Sequence, residues 1–213
     1  MLKTAFASAF LATAAYASAA WLTHDFQVWT AEGARRLEVA LRPVATPPVQ
    51  VQGPSGPPQP LRQLLADGQS VTILDFVYTR CQTVCLALGS VYQQMQASLQ
   101  SARQTDSAAR RVHLLSISFD SRRDDPPALA GYAARLKVDA AIWRLVRVPS
   151  PEGLAQLLAD FQVVVVASTQ GEFEHNAALL VVDTQGRLVR IFDYADHLLA
   201  LDYARYLAAT GAP

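Results

Sequence analysis

The sequence predicts an α/β fold in which helices cover both faces of a mixed central sheet. Strand-like and helix-like patterns alternate over residues 71–167, and the chain then finishes with a β-hairpin and a helix. Composition agrees, because 51% of the 213 residues are hydrophobic and 17% are charged. A chain this apolar can bury a full core, which excludes wholesale disorder. A β-α-β-α core closed by β-β-α is the thioredoxin-like arrangement.

Hydrophobic periodicity gives the individual elements. Short apolar, β-branched runs predict strands at 71–78, 112–119, 142–148, 161–167, 178–183 and 188–192. The last two flank Thr184-Gln185-Gly186, a typical hairpin turn. Apolar stripes predict helices at 85–99, from Asp124 or Asp125 to Lys137, at 152–160 and at 196–209. Because Pro126-Pro127 suits a first helical turn, we expect a carboxylate cap there and assign it to Asp124.

The N-terminus predicts export. Lys3 precedes an uncharged run from Thr4 to Leu22, and small residues at Ala17-Ser18-Ala19 complete the pattern of a secretory signal peptide. We expect cleavage after Ala19. The alternative is an uncleaved anchor that tethers the chain to a membrane through residues 4–22. In either case the remainder is exported, which in a bacterium means the periplasm, with or without an inner-membrane anchor.

Proline content sets the domain boundaries. Seven of the twelve prolines fall between Pro43 and Pro60, which excludes a long helix or a central strand there. We predict a signal or anchor at 1–19, a linker or stalk at 20–48 and the thioredoxin-like domain at 49–213. An edge hairpin is expected to start at 49–52 and turn through 53–56. The mixed polarity of 23–42 fits a stalk or a docking element.

Charge and cysteine count exclude several classes of protein. The formal net charge is zero, which argues against a nucleic acid partner held by bulk electrostatics. Two cysteines are too few for a disulfide-stapled scaffold or an all-cysteine zinc site. In an oxidising compartment these two thiols form a disulfide unless a reductant or a metal prevents it.

The cysteines follow a strand whose end is expected to meet other polar residues. Cys81 and Cys85 come after the first strand, and Asp120 ends the second. Ligands of open α/β sheets bind at the carboxyl ends of parallel strands. If the strand at 178–183 is antiparallel to these, His175 lies at the same edge. The other histidines, His24, His113 and His197, are expected to be structural or solvated.

The residue types at this edge suit a soft metal ion. Two thiolates at the start of a helix, with one imidazole, can bind copper in either oxidation state and can also hold zinc. The alternative is a structural disulfide, but a five-residue loop contributes only about 2 kcal/mol, against about 4.7 for a hundred-residue loop. Asp120 is expected to tune the thiols or the metal through hydrogen bonds. Arg80 and Arg122 add positive potential that favours thiolate.

Three motifs resemble those of the Sco/SenC family, thioredoxin-like copper chaperones of cytochrome c oxidase assembly. They are FVYTRCQTVC, ISFDSRRDDP and EHNAALLVVDTQGRLVRIF, and together they span about residues 74–192. The resemblance implies copper ligation by Cys81, Cys85 and His175, with Asp120 in support. It implies delivery of Cu(I) or Cu(II) to the copper-receiving subunit of the oxidase, and a copper donor or thiol reductant as a further partner.

The sequence departs from the family pattern at three positions. Gln82 and Val84 stand where the family usually has proline around its cysteines, and Ser121 follows Asp120 where proline is usual. The ligand types are kept, whereas the prolines that would stiffen these loops are replaced.

An exported thiol-disulfide oxidoreductase is the alternative function, with Cys81 and Cys85 as the redox-active pair. Three residues separate the cysteines rather than the two of thioredoxins, and no proline stands just before the strand at 178. A peroxiredoxin is weaker still. Its activating threonine stands three residues before the reactive cysteine, where this chain has Tyr78, and Thr79 is displaced by one position.

Overall fold

A computed structural model describes residues 2–23, 25–80, 84–167 and 173–211. Its helices are α1 (Leu2–Leu22), α2 (Ala31–Leu41), α3 (Leu61–Leu65), α4 (Val84–Ala102), α5 (Ser107–Arg110), α6 (Pro126–Leu136), α7 (Pro151–Asp160) and α8 (His197–Thr210). Its strands are β1 (Val44–Ala45), β2 (Gln50–Val51), β3 (Gln59–Pro60), β4 (Val71–Val77), β5 (Val112–Ser118), β6 (Trp143–Arg147), β7 (Val165–Ala167), β8 (Phe173–His175), β9 (Leu179–Val182) and β10 (Arg187–Phe192).

Six strands form the central sheet in the order β1-β10-β9-β4-β5-β6. β4, β5 and β6 are parallel, and β9 runs antiparallel to β4, so that Leu74 lies between Leu115 and Leu180. The predicted hairpin is confirmed, because β9 and β10 pair antiparallel. Gly186 in its turn has a φ of 75°, and a Cβ there would lie 2.8 Å from the Cβ of Ala66. Only glycine fits both constraints.

Helices pack on both faces of this sheet, as the sequence predicts. One apolar core lies on the face covered by α4 and α8 and includes Tyr92 and Leu201. The other core lies on the opposite face and includes Leu61 of α3 and Leu157 of α7. Every residue of β4 is buried, as expected for a central strand covered on both faces. The mixed sheet with its two helical layers is the thioredoxin-like architecture.

A carboxyl group lies inside this apolar interior. Asp75 is buried in β4 beside the hydroxyls of Ser116 and Tyr92, and its Oδ1 atom has no hydrogen-bond partner among the described residues. The Ser116 hydroxyl in turn accepts a hydrogen bond of 2.9 Å from the indole nitrogen of Trp143. Burial disfavours the charged form and raises the pKa of Asp75 to about 7, although the hydrogen bonds act in the opposite direction.

The valine-rich run at 161–167 is shorter as a strand than predicted. Only its last three residues form β7, which pairs with β8 in a separate two-stranded sheet. Residues 161–163 instead end helix α7. Gln162 adopts a φ of 52°, and the Val163 amide donates to the Leu158 carbonyl at 2.7 Å. Val164 and Val166 are more than half exposed, at 60% and 56%.

The predicted edge hairpin is present with a longer loop. β2 pairs antiparallel with β3, which begins at Gln59, whereas the predicted turn at 53–56 would have started the second strand at residue 57. Gln52 then pairs with Arg147 at the edge of the central sheet, through backbone hydrogen bonds of 2.9 Å in both directions. The Arg147 guanidinium donates to the Gln52 side chain at 2.8 Å and to the Ser121 carbonyl at 2.9 Å. The hairpin is therefore connected to the loop that follows β5.

Residues 31–45, assigned to the linker from the sequence, pack against the domain. Arg35 of α2 is buried and donates to Glu32 at 2.9 Å and to the Phe161 carbonyl at 3.1 Å. β1 pairs with β10 and so joins the central sheet. Residues 31–45 are therefore not a free stalk, while the role of Thr23–Arg42 as a docking element and the domain boundary at residue 49 stay predictions.

α1 is long and apolar enough over Lys3–Leu22 to cross a membrane, and none of that window is buried against the domain. Ala19, the last residue before the predicted cleavage site, lies inside this helix. A signal peptide and an anchor both satisfy these observations.

Candidate metal centre

The carboxyl ends of β4 and β5 meet at one edge of the sheet. Val77 lies opposite Ser118, and the Phe119 amide donates to the Val77 carbonyl at 3.0 Å just beyond the paired residues. The segments that continue from these ends carry Arg80 and Asp120. β8 reaches the same edge, because His175 hydrogen-bonds to the backbone of Phe76. The structure therefore brings the Asp120 loop and His175 to the end of the strand that leads to the cysteines.

Of the two cysteines, only Cys85 has a described backbone position, at the start of α4. Cys81 lies outside the described residues, as do Gln82 and Thr83. The backbone of Cys85 lies in the first turn of α4, and its side chain is outside the described part of the chain. A helix N-terminus stabilises thiolate, so this backbone position supports the predicted chemistry of Cys85. Ligation by the pair stays a prediction.

His175 has the properties of a histidine ligand. Its Nε2 atom is buried and has no hydrogen-bond partner among the described residues. We therefore assign the imidazole hydrogen bond to the Phe76 backbone to Nδ1, in the tautomer whose Nε2 lone pair has no partner among the described residues. Burial lowers the pKa of His175, against the effect of that hydrogen bond. A neutral ring with one unpartnered nitrogen fits a metal ligand.

Aromatic rings surround this histidine. The Phe119 ring lies 5.1 Å from the His175 ring, and Tyr78 and Phe173 pack on Phe119 at 5.3 and 5.4 Å between centroids. The Tyr78 hydroxyl accepts a hydrogen bond of 3.3 Å from the Phe173 amide. Because Phe173 and His175 both belong to β8, the aromatic cluster fixes this strand against the ends of β4 and β5.

Asp120 lies at the same edge, buried and in contact with an arginine. Its carboxylate accepts from Arg123 at 3.3 Å, and its amide donates to the Ser118 hydroxyl at 3.1 Å. Burial raises the pKa of Asp120, while Arg123, Arg80 and Arg122 oppose that effect. Its predicted role in tuning the thiols or the metal stays a prediction.

Asp124, assigned as a helix cap from the sequence, has a different role. Asp125 caps α6 by accepting from the Ala128 amide at 2.9 Å. The Asp124 side chain is fully buried and accepts from the Thr79 amide at 3.0 Å, from the Thr79 hydroxyl at 2.6 Å and from the Ser118 hydroxyl. It therefore joins the segment before Cys81 to the loop that carries Asp120.

The order of residues before α6 already indicates that Asp125, and not Asp124, caps the helix. The cap of a helix that begins with proline is the residue directly before that proline, which is Asp125. Asp124 is therefore a second carboxylate that the helix does not need. A carboxylate of this kind beside a predicted site is a candidate for joining the segments that form the site.

The remaining histidines lie elsewhere or outside the described residues. His113 in β5 is half-buried, and its Nδ1 lies 3.5 Å from the Arg103 guanidinium. His197 begins α8, and His24 lies outside the described residues. No three His, Cys, Asp or Glu side chains cluster as a metal site within the described ranges. A site at His175 would need the two cysteines to complete it.

Comparison with known proteins identifies the family. The curated SCO1 protein homolog of Bacillus subtilis is 22% identical over 125 residues, which is 58% of this chain and 62% of that protein. The match therefore spans less than two thirds of this relative. A structure of BsSco, a member of the Sco family of cytochrome c oxidase assembly proteins with an identified disulfide switch, superimposes with a TM-score of 0.62 at 21% identity. It covers 78% of this chain and 96% of BsSco.

Yeast Sco1, solved with copper bound, superimposes with a TM-score of 0.63 at 16% identity, over 80% of this chain and 92% of that one. The family model SCO1/SenC matches residues 61–205. Those residues contain β4, β5 and β8 with all the predicted site residues, and they make up well over half of the sequence. The chain belongs to the SCO1/SenC family.

Proposed function

We propose that this protein is a copper chaperone that binds Cu(I) or Cu(II) through Cys81, Cys85 and His175. It delivers the ion to the binuclear copper centre in the copper-receiving subunit of cytochrome c oxidase. The observation that carries the proposal is the buried, unpartnered Nε2 of His175 at the strand end that leads to the two cysteines. Membership of a family whose yeast member has been solved with copper bound supports it.

The chemistry of the donors supports copper as cargo. Two thiolates are soft ligands that suit Cu(I), and the imidazole widens the set to Cu(II). Burial favours the neutral imidazole, and the hydrogen bond to the Phe76 backbone orients the ring before the ion arrives, which reduces the reorganisation that binding requires. The ligands come from two separate segments of the chain, so a partner can displace one donor while the others still hold the ion.

Replacement of His175 by alanine is expected to weaken copper binding roughly 100-fold or more, because it removes one of three ligands. Reduced protein is titrated with Cu(I) against a competing chelator, and with Cu(II) by absorption spectroscopy. His113→Ala is the control, since it removes a half-buried histidine that contacts Arg103 away from the site. Equal affinity and an unchanged spectrum in His175→Ala would remove this residue from the ligand set.

A thiol-disulfide oxidoreductase acting on partner cysteines is the second candidate. The disulfide switch identified in BsSco favours it, because it shows that a relative of the same fold undergoes thiol redox change. In this role the thiolate of one cysteine attacks a partner disulfide, and the other cysteine resolves the mixed disulfide. The reduction potential of the Cys81–Cys85 pair and the rate of insulin reduction rank this role against copper delivery.

Export to the periplasm completes the proposal. When the full chain is expressed in a bacterium, cleavage is expected after Ala19, which gives a mature periplasmic protein that begins at Ala20. N-terminal sequencing of the periplasmic fraction measures this directly. Recovery of the intact N-terminus in membranes after alkaline extraction would instead establish α1 as an anchor.

A further inference from the structure

We infer that four arginines around the site form a docking surface for a partner protein that carries carboxylates beside its own thiols or metal ligands. We call these residues the arginine collar: Arg80, Arg122, Arg123 and Arg135. The inference rests on the proposed function, because it names the kind of surface that receives or supplies the cargo at this site.

Contacts place the collar around the strand ends. Arg123 lies 3.3 Å from the Asp120 carboxylate, and Arg80 and Arg122 act electrostatically on the same carboxylate. Arg135 reaches the same place from α6, where its Nη2 donates to the Thr79 carbonyl at 3.3 Å. Thr79 stands two residues before Cys81. The four guanidinium groups therefore come from three separate segments and lie around the ends of β4 and β5, at Asp120 and Thr79.

Among the described side chains at this end of the sheet, the acidic groups are mostly withdrawn from solvent. Asp120 is buried and paired with Arg123, whose own side chain is 41% exposed. Asp124 is fully buried and occupied by Thr79 and Ser118. Asp125 is exposed but caps α6. Among the described residues, the surface at this edge of the sheet therefore presents mainly positive charge.

This positive surface is local, because the whole chain has a formal net charge of zero. A positively charged surface such as the arginine collar accelerates the encounter with a negatively charged partner and repels a cationic one. Transfer of an ion or a disulfide requires the partner's donor atoms to come within bonding distance of the cysteines, which follow the strand end where the collar lies. A partner with carboxylates next to its donor atoms fits this requirement.

The test uses the full chain, reduced, in a non-ionic detergent, with three synthetic peptides. Each peptide carries one cysteine as its 2-pyridyl disulfide, flanked by two Glu, two Gln or two Lys. A protein thiolate attacks the peptide sulfur and releases 2-thiopyridone, and the second protein cysteine then displaces the peptide thiol and closes the Cys81–Cys85 disulfide. The protein loses two electrons, and the peptide disulfide gains them.

At low ionic strength we expect the Glu peptide to react roughly three- to tenfold faster than the Lys peptide, and the ratio to approach one in high salt. The double variant Arg80→Gln/Arg122→Gln should lose most of this preference. Arg62→Gln/Arg144→Gln removes the same charge from exposed arginines outside the collar and should keep the preference. Because rates are compared between peptides on one protein, any change in thiolate fraction cancels.

The inference would be overturned if the ratio of the Glu-peptide rate to the Lys-peptide rate were the same in the two double variants, or if the wild type showed no preference. Binding to phosphatidylglycerol vesicles that depends on Arg80 and Arg122 without any preference among the peptides would also overturn it, since the collar would then serve a membrane surface. The peptide rates need only the thiols, whereas copper titration of the same wild-type protein tests the proposed function. Failure of one is thus distinguishable from failure of the other.

Discussion

Replacement of Asp124 by alanine is expected to lower the free energy of unfolding by about 3–5 kcal/mol. The carboxylate is fully buried and accepts hydrogen bonds from the Thr79 amide, the Thr79 hydroxyl and the Ser118 hydroxyl. Its removal leaves the buried Ser118 hydroxyl and the half-buried amide and hydroxyl of Thr79 without their acceptor. Urea denaturation followed by far-UV circular dichroism measures the change.

The neighbouring carboxylate is a matched control. Asp125→Ala removes a cap on α6 and is expected to cost about 1 kcal/mol. We also expect Asp124→Asn to weaken copper binding more than Asp125→Asn does, because Asp124 positions the segment that leads to Cys81. If Asp125→Ala proved the more destabilising of the two alanine variants, Asp124 would not hold the β4 and β5 ends together.

The second large effect concerns pH and the buried Asp75. Its pKa rises from 3.8 in the unfolded chain to about 7 in the folded protein. Between these values the unfolded chain has released a proton that the folded chain retains, so a rise in pH favours unfolding. Stability contributed by this group is full below pH 3.8 and is lost by about pH 7, with a total of about 4 kcal/mol at most.

Asp75→Asn isolates this contribution, since asparagine keeps the shape of the side chain but does not titrate. The difference in unfolding free energy, wild type minus variant, is expected to fall steadily from pH 4 to pH 7. Urea midpoints at several pH values give the difference, and subtraction removes the titration of groups that the two proteins share. A difference that stays constant over this range would show that Asp75 keeps an ordinary pKa.

The meeting of Asp120 and His175 at one sheet edge could be predicted from the sequence, because strand direction alone decides it. The role of Asp124 could not, since it depends on contact with Thr79, which lies 45 residues away along the chain. The burial of Asp75 beside other polar groups could not be predicted from the sequence either. A short apolar run predicts a buried strand whether or not it contains one carboxylate, and the partners on Ser116 and Tyr92 appear only in three dimensions.

Local competition explains the shortened strand β7. The run of valines has high strand propensity, but the end of α7 draws Gln162 and Val163 into its last turn. Propensity is a property of residues, whereas the place where a helix stops depends on its packing.

The backbone pairing of Gln52 with Arg147 also bears on self-association. β6 is an edge strand, and the free amides and carbonyls of such an edge can pair with a second molecule. Gln52 pairs with Arg147 at the carboxyl end of β6, which is the end nearest the site. The prolines at 54, 57 and 58 that follow Gln52 have no amide hydrogen with which to extend a ladder. When two copies meet through this end of β6, the Gln52 pairing therefore blocks strand-to-strand addition at that point.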